Sequence, residues 1–345
     1  MSNLVWDALI AAYPFFSGIA AGAYIASTLP VLFKHDEFKE ISLLSLVVSW
    51  ATLLVSPVPL VLHLGSPWRA GNIFAFPQAS SPMALFGYLW AIFLILTTIS
   101  IVIYNWFHTA PWFKSLAQIL AGIGIIVAVL FSGYIGFIFG SNKAVELWYN
   151  PTTPISFILS AIISGVALVA ILYITIWRLN AKELNSATLN SMGRILWWIL
   201  LFDVALVVAE LFVKTYLQTA GWQTLHNIFA EQLGFTYFGV QLILGAIVPL
   251  IILSFRRATT SAGLMSLMSL LILIGIFAYR WNIVIGGQLL VEASPHIYTT
   301  TTYTIPLVGL GSVLWISGIF LLWAFLISLA LVIFSNWKMG AKIYG

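Results

Sequence analysis

The residues in this chain that could do chemistry are few, and most sit in apolar surroundings. In ILWWILLFDVALVVAELFVKTYLQ, Asp203, Glu210 and Lys214 follow one another at offsets of seven and four, which places all three on one face of a helix. A lone carboxylate near the middle of a bilayer costs about 2.5–3.5 kcal/mol on insertion scales, so Asp203 must face protein, water or a cation. Arg280, in FAYRWNIVIGGQ, is the plausible cation. Two roles fit such a row: an ion pair that holds helices together, or a proton path from the cytoplasm to a redox site.

Other candidates lie toward the ends of apolar runs. His63, in VLHLGSP, is suited either to a hydrogen bond with a loop carbonyl or to donating to a quinone carbonyl and relaying its proton. Tyr13, Phe15, Phe16 and Ser17, in YPFFSGIAAGAY, suit an apolar slot with a polar end. Gly18 and Gly22 are four residues apart, a spacing that lets a neighbouring helix or a flat ring approach the backbone. Haem is not expected. Of His35, His63, His108, His226 and His296, only His63 falls at a helix end, and no helix carries a second histidine to complete a bis-histidine site. The chain has no cysteine, which excludes disulfides, thiolate-held iron–sulfur clusters and cysteine nucleophiles.

These side chains must be positioned by membrane helices. Of 345 residues, 61% are hydrophobic and 7% charged, against roughly a quarter charged in a soluble globule. The lipid bilayer is the expected solvent. A net charge of +4, spread along the chain, gives no footprint for a nucleic acid. Apolar runs long enough to cross the hydrocarbon are read at about 8–33, 41–63, 83–106, 114–140, 155–178, 192–215, 234–254, 262–285 and 306–334. The first exceeds the roughly 7–15 apolar residues of a signal-peptide core, so it reads as a retained helix. The fold class is therefore all-α, a polytopic membrane protein of about nine transmembrane helices.

Charge then sets an orientation. Lys34, Lys39, Lys114, Arg178, Lys182, Arg194, Arg256, Arg257, Lys338 and Lys342 lie beside the odd-numbered connections or the C-terminus; Arg69, Lys143, Lys214 and Arg280 lie toward the other side. By the positive-inside rule the C-terminus is cytoplasmic and the N-terminus outside. The even-numbered connections are the longer ones and are rich in Pro, Gly, Asn and aromatic residues. Pro67, Pro77, Pro82, Pro151, Pro154 and Pro295 would stiffen them, as a docking platform requires. The working face is expected outside.

Four blocks in order carry a resemblance: SGIAAGAY, HLGSPWRAGNIF with SSPM, SGYIGFIFGSNKAVELWYNPTTPISFILSAIISGVAL, and RWNIVIGGQ. Together, from Tyr13 to about Gln288, they resemble the NrfD/PsrC family, the membrane subunits of polysulfide-reductase-type complexes. The resemblance implies a haem-free subunit that reacts with quinone or menaquinone. It implies an extracytoplasmic ferredoxin-like iron–sulfur subunit as partner and a molybdopterin catalytic subunit beyond it. The quinone pocket would lie among the first four helices near the outer face. The family's motif positions fall on His63, Gly65, Arg69, Ser81, Pro82, Arg280, Asn282 and Gln288. Where family members often carry a tyrosine on the fourth helix, this chain has Phe131, and Tyr134 three residues on is the substitute. Arg69 would steer the partner, stabilise a reduced ring or meet a lipid phosphate.

The expectation is thus an N-terminal four-helix quinone-binding bundle over residues 1–140 and a second bundle over 141–345. Its site residues are His63, Tyr13, Ser17, Tyr134 and Arg69 for quinone, and Asp203, Glu210 and Arg280 for proton transfer. Sulfur or polysulfide reduction in the plasma membrane is the activity implied. A secondary transporter or proton-translocating subunit using Asp203, Glu210 and Arg280 is the alternative.

Overall fold

The computed structural model describes residues 8–64, 66–145, 147–218, 222, 226, 229, 233–292 and 310–334. Gly65, Pro295, His296, Lys338 and Lys342 lie outside them. Every expected run is a helix: α1 (Ala8–Leu32), α2 (Ser42–His63), α3 (Pro82–Trp106), α4 (Phe113–Gly140), α5 (Thr153–Leu179), α6 (Ser186–Leu217), α7 (Phe235–Leu253), α8 (Ala262–Glu292) and α9 (Leu310–Ile333). All nine contain a stretch long and apolar enough to cross a membrane, and the described residues hold no strand. Hydrocarbon offers backbone N–H and C=O groups no partner, so an apolar segment of this length satisfies them internally, as a helix.

Two helices depart from regular winding. In α2 the α-helix runs Ser42–Val55, is interrupted around Pro57, and resumes as Val58–His63 with Pro59 in its first turn. Proline has no N–H to continue the ladder, so the last turn is re-aimed. His63 ends that turn. In α7 the segment Phe235–Ile247 is π-wound and reverts to α-helix at Val248–Leu253. Wide turns of this kind often mark functional positions. Gly245 of this segment meets Gly275 of α8 backbone to backbone, leaving no space for a Cβ on either residue.

Helix α1 forms the centre of the bundle, almost wholly buried by α5, α2, α4 and α8. It crosses α5 where Gly22 meets Ala161 and Gly165. The spacing of small residues on α1 therefore serves close helix packing at Gly22. Helix α9 returns to the first helices: Trp323 Nε1 donates to Thr52 Oγ1 (2.9 Å), and its ring lies 5.1 Å from that of Phe16. Helices from both sides of residue 140 thus share one apolar core.

The connections α1–α2, α5–α6 and α7–α8 gather at one end. Glu40 accepts from Tyr173 Oη (3.0 Å) and Trp177 Nε1 (2.9 Å), and the Glu37 carbonyl accepts from Thr188 Oγ1 (2.9 Å). Thr259 Oγ1 donates to Asn190 Oδ1 at 2.8 Å. Lys34, Lys39, Arg178, Lys182, Arg194, Arg256 and Arg257 belong to this basic end. At the opposite end Trp148 Nε1 ties the α4–α5 connection to the Ile283 carbonyl of α8 at 2.7 Å.

Candidate functional site

The connection after His63 is built as a cap. A short 3₁₀ turn (Pro67–Gly71) leads into a single helical turn (Asn72–Ala75), and Ser81 then accepts from the Ala84 N–H (3.4 Å) to start α3, with Pro82 at its first position. That is what Ser81 and Pro82 do locally. The hydroxyl of Tyr88 holds the cap down: it donates to the Ile73 carbonyl (3.0 Å) and accepts from the Gln78 N–H (3.0 Å). Both arms of the connection are thereby fastened to one α3 side chain. The cap still shows apolar surface outward, with Trp68 80% and Phe76 75% exposed, and Arg69 stands exposed between them.

Beneath it, aromatic rings line the interior of α1, α3 and α4. Tyr13 is edge-on to Phe86 (5.6 Å between centroids), Phe86 stacks on Phe131 (5.4 Å), and Phe131 adjoins Phe93 (5.6 Å). Phe131 is fully buried, and it takes the inward position on α4. Tyr134 lies farther round the helix, half-buried and stacked on the exposed Phe137 at 5.8 Å. Tyr13 and Ser17 are buried on α1. The Ser17 hydroxyl has no hydrogen-bond partner among the described residues, and buried hydroxyls are almost always partnered. These rings pack on one another, and the Ser17 hydroxyl, one turn from Tyr13 on α1, is the buried polar group left beside them without a partner among the described residues.

On the other face of α1 lies Arg280, 1% exposed. Its Nη2 donates to Ser160 Oγ (2.6 Å), and its guanidinium carbon sits 3.7 Å from the ring centre of Phe157 and 4.9 Å from that of Tyr279. Nε and Nη1 are buried without a partner among the described residues. A Cβ on Gly18 would stand 3.6 Å from Nη2 and from Ala161, ordinary contact distances, so this glycine lies beside the guanidinium without being required by it. Tyr13 and Asp203 both lie within electrostatic reach of this cation.

Asp203 does not pair with it directly; among the described residues no ion pair within 4.0 Å joins them. A cavity of about 30 Å³ separates α5, α6, α7 and α8, lined by Asp203, Ser156, Ser160, Gln241 and Tyr279 among others. That volume is enough for a water or two. Ser160 therefore faces both the arginine and the cavity. Gln241 Oε1 accepts from Asn282 Nδ2 (2.8 Å), and Asn282 Oδ1 accepts from Thr236 Oγ1 (2.7 Å). Gln288 donates to the Val284 carbonyl one turn back (3.3 Å). Farther along α6, Glu210 pairs with Lys214 on the same helix.

The candidates thus fall into three groups: His63 and Arg69 at the cap, Tyr13 and Ser17 inside the bundle, and Arg280 with Asp203 about the cavity. Tyr13 joins the second group to the third. Ser160, Gln241 and Tyr279 were missed. Gln241 had a visible signal, a lone amide within an apolar run; serine is common in membrane helices, so Ser160 had none.

Comparison with known proteins supplies the rest. A family model described as "Polysulphide reductase, NrfD" matches residues 1–292, which takes in α1 to α8. A selenate reductase subunit of Mesobacillus selenatarsenatis is 25% identical over 331 residues, covering 84% of this chain and 75% of that protein. The Hdr-like menaquinol oxidoreductase integral membrane subunit of Archaeoglobus fulgidus is 23% identical over 296 residues, 85% of this chain and 73% of that one. A polysulfide reductase component of Wolinella succinogenes is 24% identical over 321 residues, 83% of this chain and 95% of that one.

Proposed function

Because the chain belongs to the NrfD family of polysulphide-reductase-type membrane proteins, we propose that it is the quinone-reactive anchor of a respiratory oxidoreductase complex. It exchanges electrons with an iron–sulfur subunit docked on the end opposite the basic one. The observation that carries this reading is the cap: a rigid, outward apolar surface, fastened by Tyr88, over an aromatic-walled interior. A solvent-facing connection that keeps Trp68 and Phe76 exposed has the character of a surface a partner covers. The menaquinol named for the Archaeoglobus fulgidus relative supports a quinol as the electron donor.

When bound, a quinol supplies two electrons and two protons. This chain's part is to hold the ring, keep bulk water out and take the protons. Tyr13 and Ser17 place hydroxyls against the ring, and Phe86 and Phe131 wall it in. His63, on the re-aimed last turn of α2, accepts a proton at the mouth. Arg69 at the cap steers the acidic surface of a partner. A molybdopterin subunit beyond the iron–sulfur partner, sulfur or a related species as terminal acceptor, and a plasma membrane with its cytoplasmic side at the basic end complete the proposal.

A second activity is favoured by the cavity beside Arg280. Asp203, Ser160 and Tyr279 bring polar groups to a cavity otherwise lined mostly by apolar residues, and Glu210 continues the row along α6 toward the capped end. Such a row suits proton transfer coupled to the redox step.

The test is purification from native membranes in mild detergent, with iron determination and low-temperature electron paramagnetic resonance. The native chain is expected to bring down a cluster-containing subunit, and Trp68→Asp/Phe76→Asp to lose it while the helices stay folded. Retention of the clusters by the double variant would overturn the docking assignment.

A further inference from the structure

The basic end carries a built groove that neither the redox reading nor the proton row uses. It has a volume of about 450 Å³ and is lined by Asn190, Arg194, Trp197 and Trp198 of α6 with Leu253, Ser254, Arg256 and Thr259 from the end of α7 and the turn into α8. Its floor is fixed: Thr259 Oγ1 donates to Asn190 Oδ1 (2.8 Å), and Gly193 admits the Thr259 side chain, which would stand 2.6 Å from a Cβ there. With Oδ1 so occupied, the Asn190 amide keeps its N–H donors for the groove. Among the described residues, neither Arg194 nor Arg256 has a carboxylate within 4.0 Å. Glu37 meets α6 one residue along, at Ser191 (3.2 Å).

We propose that this groove binds an anionic glycerophospholipid, its phosphate held between Arg194 and Arg256 and an acyl tail laid along Trp197, Trp198 and Leu253. Three observations point the same way. Two uncompensated guanidiniums and an amide make a donor set for phosphate oxygens, which arginine forks match in geometry. The groove is far larger than a lone phosphate needs and lies in the roughly 300–1,000 Å³ range of sites for extended ligands. Its other wall is apolar and aromatic, with Trp198 51% exposed, and it lies at the level of a headgroup region, where tryptophans partition. Basic pockets between membrane helices at such a level take anionic headgroups. The lipid bridges α6, whose surface is little buried by the rest of the chain, to the α7–α8 turn. It is a structural ligand that fastens α6 to the bundle, and it does not depend on the quinone assignment.

The experiment is native mass spectrometry of the full-length protein after delipidation, titrated with dioleoylphosphatidylglycerol, dioleoylphosphatidylcholine or inorganic phosphate. Phosphatidylglycerol is expected to give one saturable adduct of higher affinity than phosphatidylcholine. Arg194→Gln/Arg256→Gln is expected to weaken that adduct about tenfold or more, since each surface cation contributes several-fold to anionic lipid binding. Both arginines are exposed, so the fold is expected to survive, with an unchanged gel-filtration profile as the check. Trp198→Ala keeps the charges and removes part of the acyl wall, and it too is expected to weaken the adduct. Equal binding of the two lipids, or no loss in either variant, would overturn the site. Competition by millimolar phosphate as strong as that by lipid would assign the groove to a free anion and overturn the lipid assignment.

Discussion

Arg280 and Ser160 meet at 2.6 Å, guanidinium to hydroxyl, in the buried interior of a protein whose helices span a membrane. Ser160 reaches both the cation and the cavity of Asp203. The Ser160 hydroxyl itself donates to the Phe157 carbonyl (3.1 Å), so it ties the buried cation to α5 at the edge of the cavity that Asp203 also lines. Ser160→Ala should leave a third guanidinium nitrogen without a partner. The expected cost is about 1.5–3 kcal/mol, the range for a hydrogen bond to a charged group, read as a lower thermal midpoint of the detergent-solubilised chain. Arg280→Lys should cost at least as much, because an ammonium loses the planar stacking on Phe157. An unchanged midpoint in both would show that the pair holds nothing together.

Asp203→Asn separates structure from proton transfer. The carboxylate has no ion-pair partner within 4.0 Å among the described residues, so the amide should leave stability unchanged or raise it. Quinol-linked proton uptake in proteoliposomes should fall about tenfold or more, the scale on which a positioned acid or base contributes. Equal proton uptake would confine the cavity to a packing role.

Gly22→Ala tests the centre of the bundle. A Cβ there would collide with the Ala161 carbonyl of α5, and both backbones lie within regular helices. Overpacking of this kind costs about 1–3 kcal/mol. Less protein should reach the membrane in folded form, measured by protease resistance of membrane fractions, whereas Gly122→Ala, at a position with open space, should be neutral.

Tyr88→Phe should free the cap without touching the helices. Loss of both hydroxyl bonds, to Ile73 and Gln78, is expected to increase proteolysis within residues 66–81 and to weaken retention of the partner subunit. Unchanged cleavage would mean that the turns after His63 hold themselves.

Much of the fold was legible because a membrane span announces itself by length and composition alone: the runs read from hydropathy fall on α1 to α9, although α6 begins six residues earlier than its run and α8 ends seven residues later. Side-chain partners were less so. Asp203 and Arg280 were a reasonable pair by charge, yet where they meet depends on how α6 and α8 pack against α5, and the cavity with Ser160 stands between them. Spacing placed Tyr134 three residues from Phe131, near the same face, but the rotation of α4 turns Phe131 inward and leaves Tyr134 beside exposed Phe137. Gly18 and Gly22 looked like one packing stripe. They differ: a Cβ at Gly22 would collide with the Ala161 backbone of α5, whereas one at Gly18 would make ordinary contacts with Ala161 and Arg280. The wide turns of α7 had no local signature, since its apolar residues suit either winding.

The central claim, that this protein passes electrons between quinol and an iron–sulfur partner, is tested most directly by stopped-flow absorbance of the purified complex. Reduced menaquinone analogue is mixed with oxidised complex, and bleaching of the clusters is followed for the native protein, His63→Ala and Tyr13→Phe. Rapid bleaching by the native complex, slowed about tenfold or more in both variants with cluster content intact, is the expected result. Clusters that the quinol does not reduce, or equal rates in all three, would contradict it.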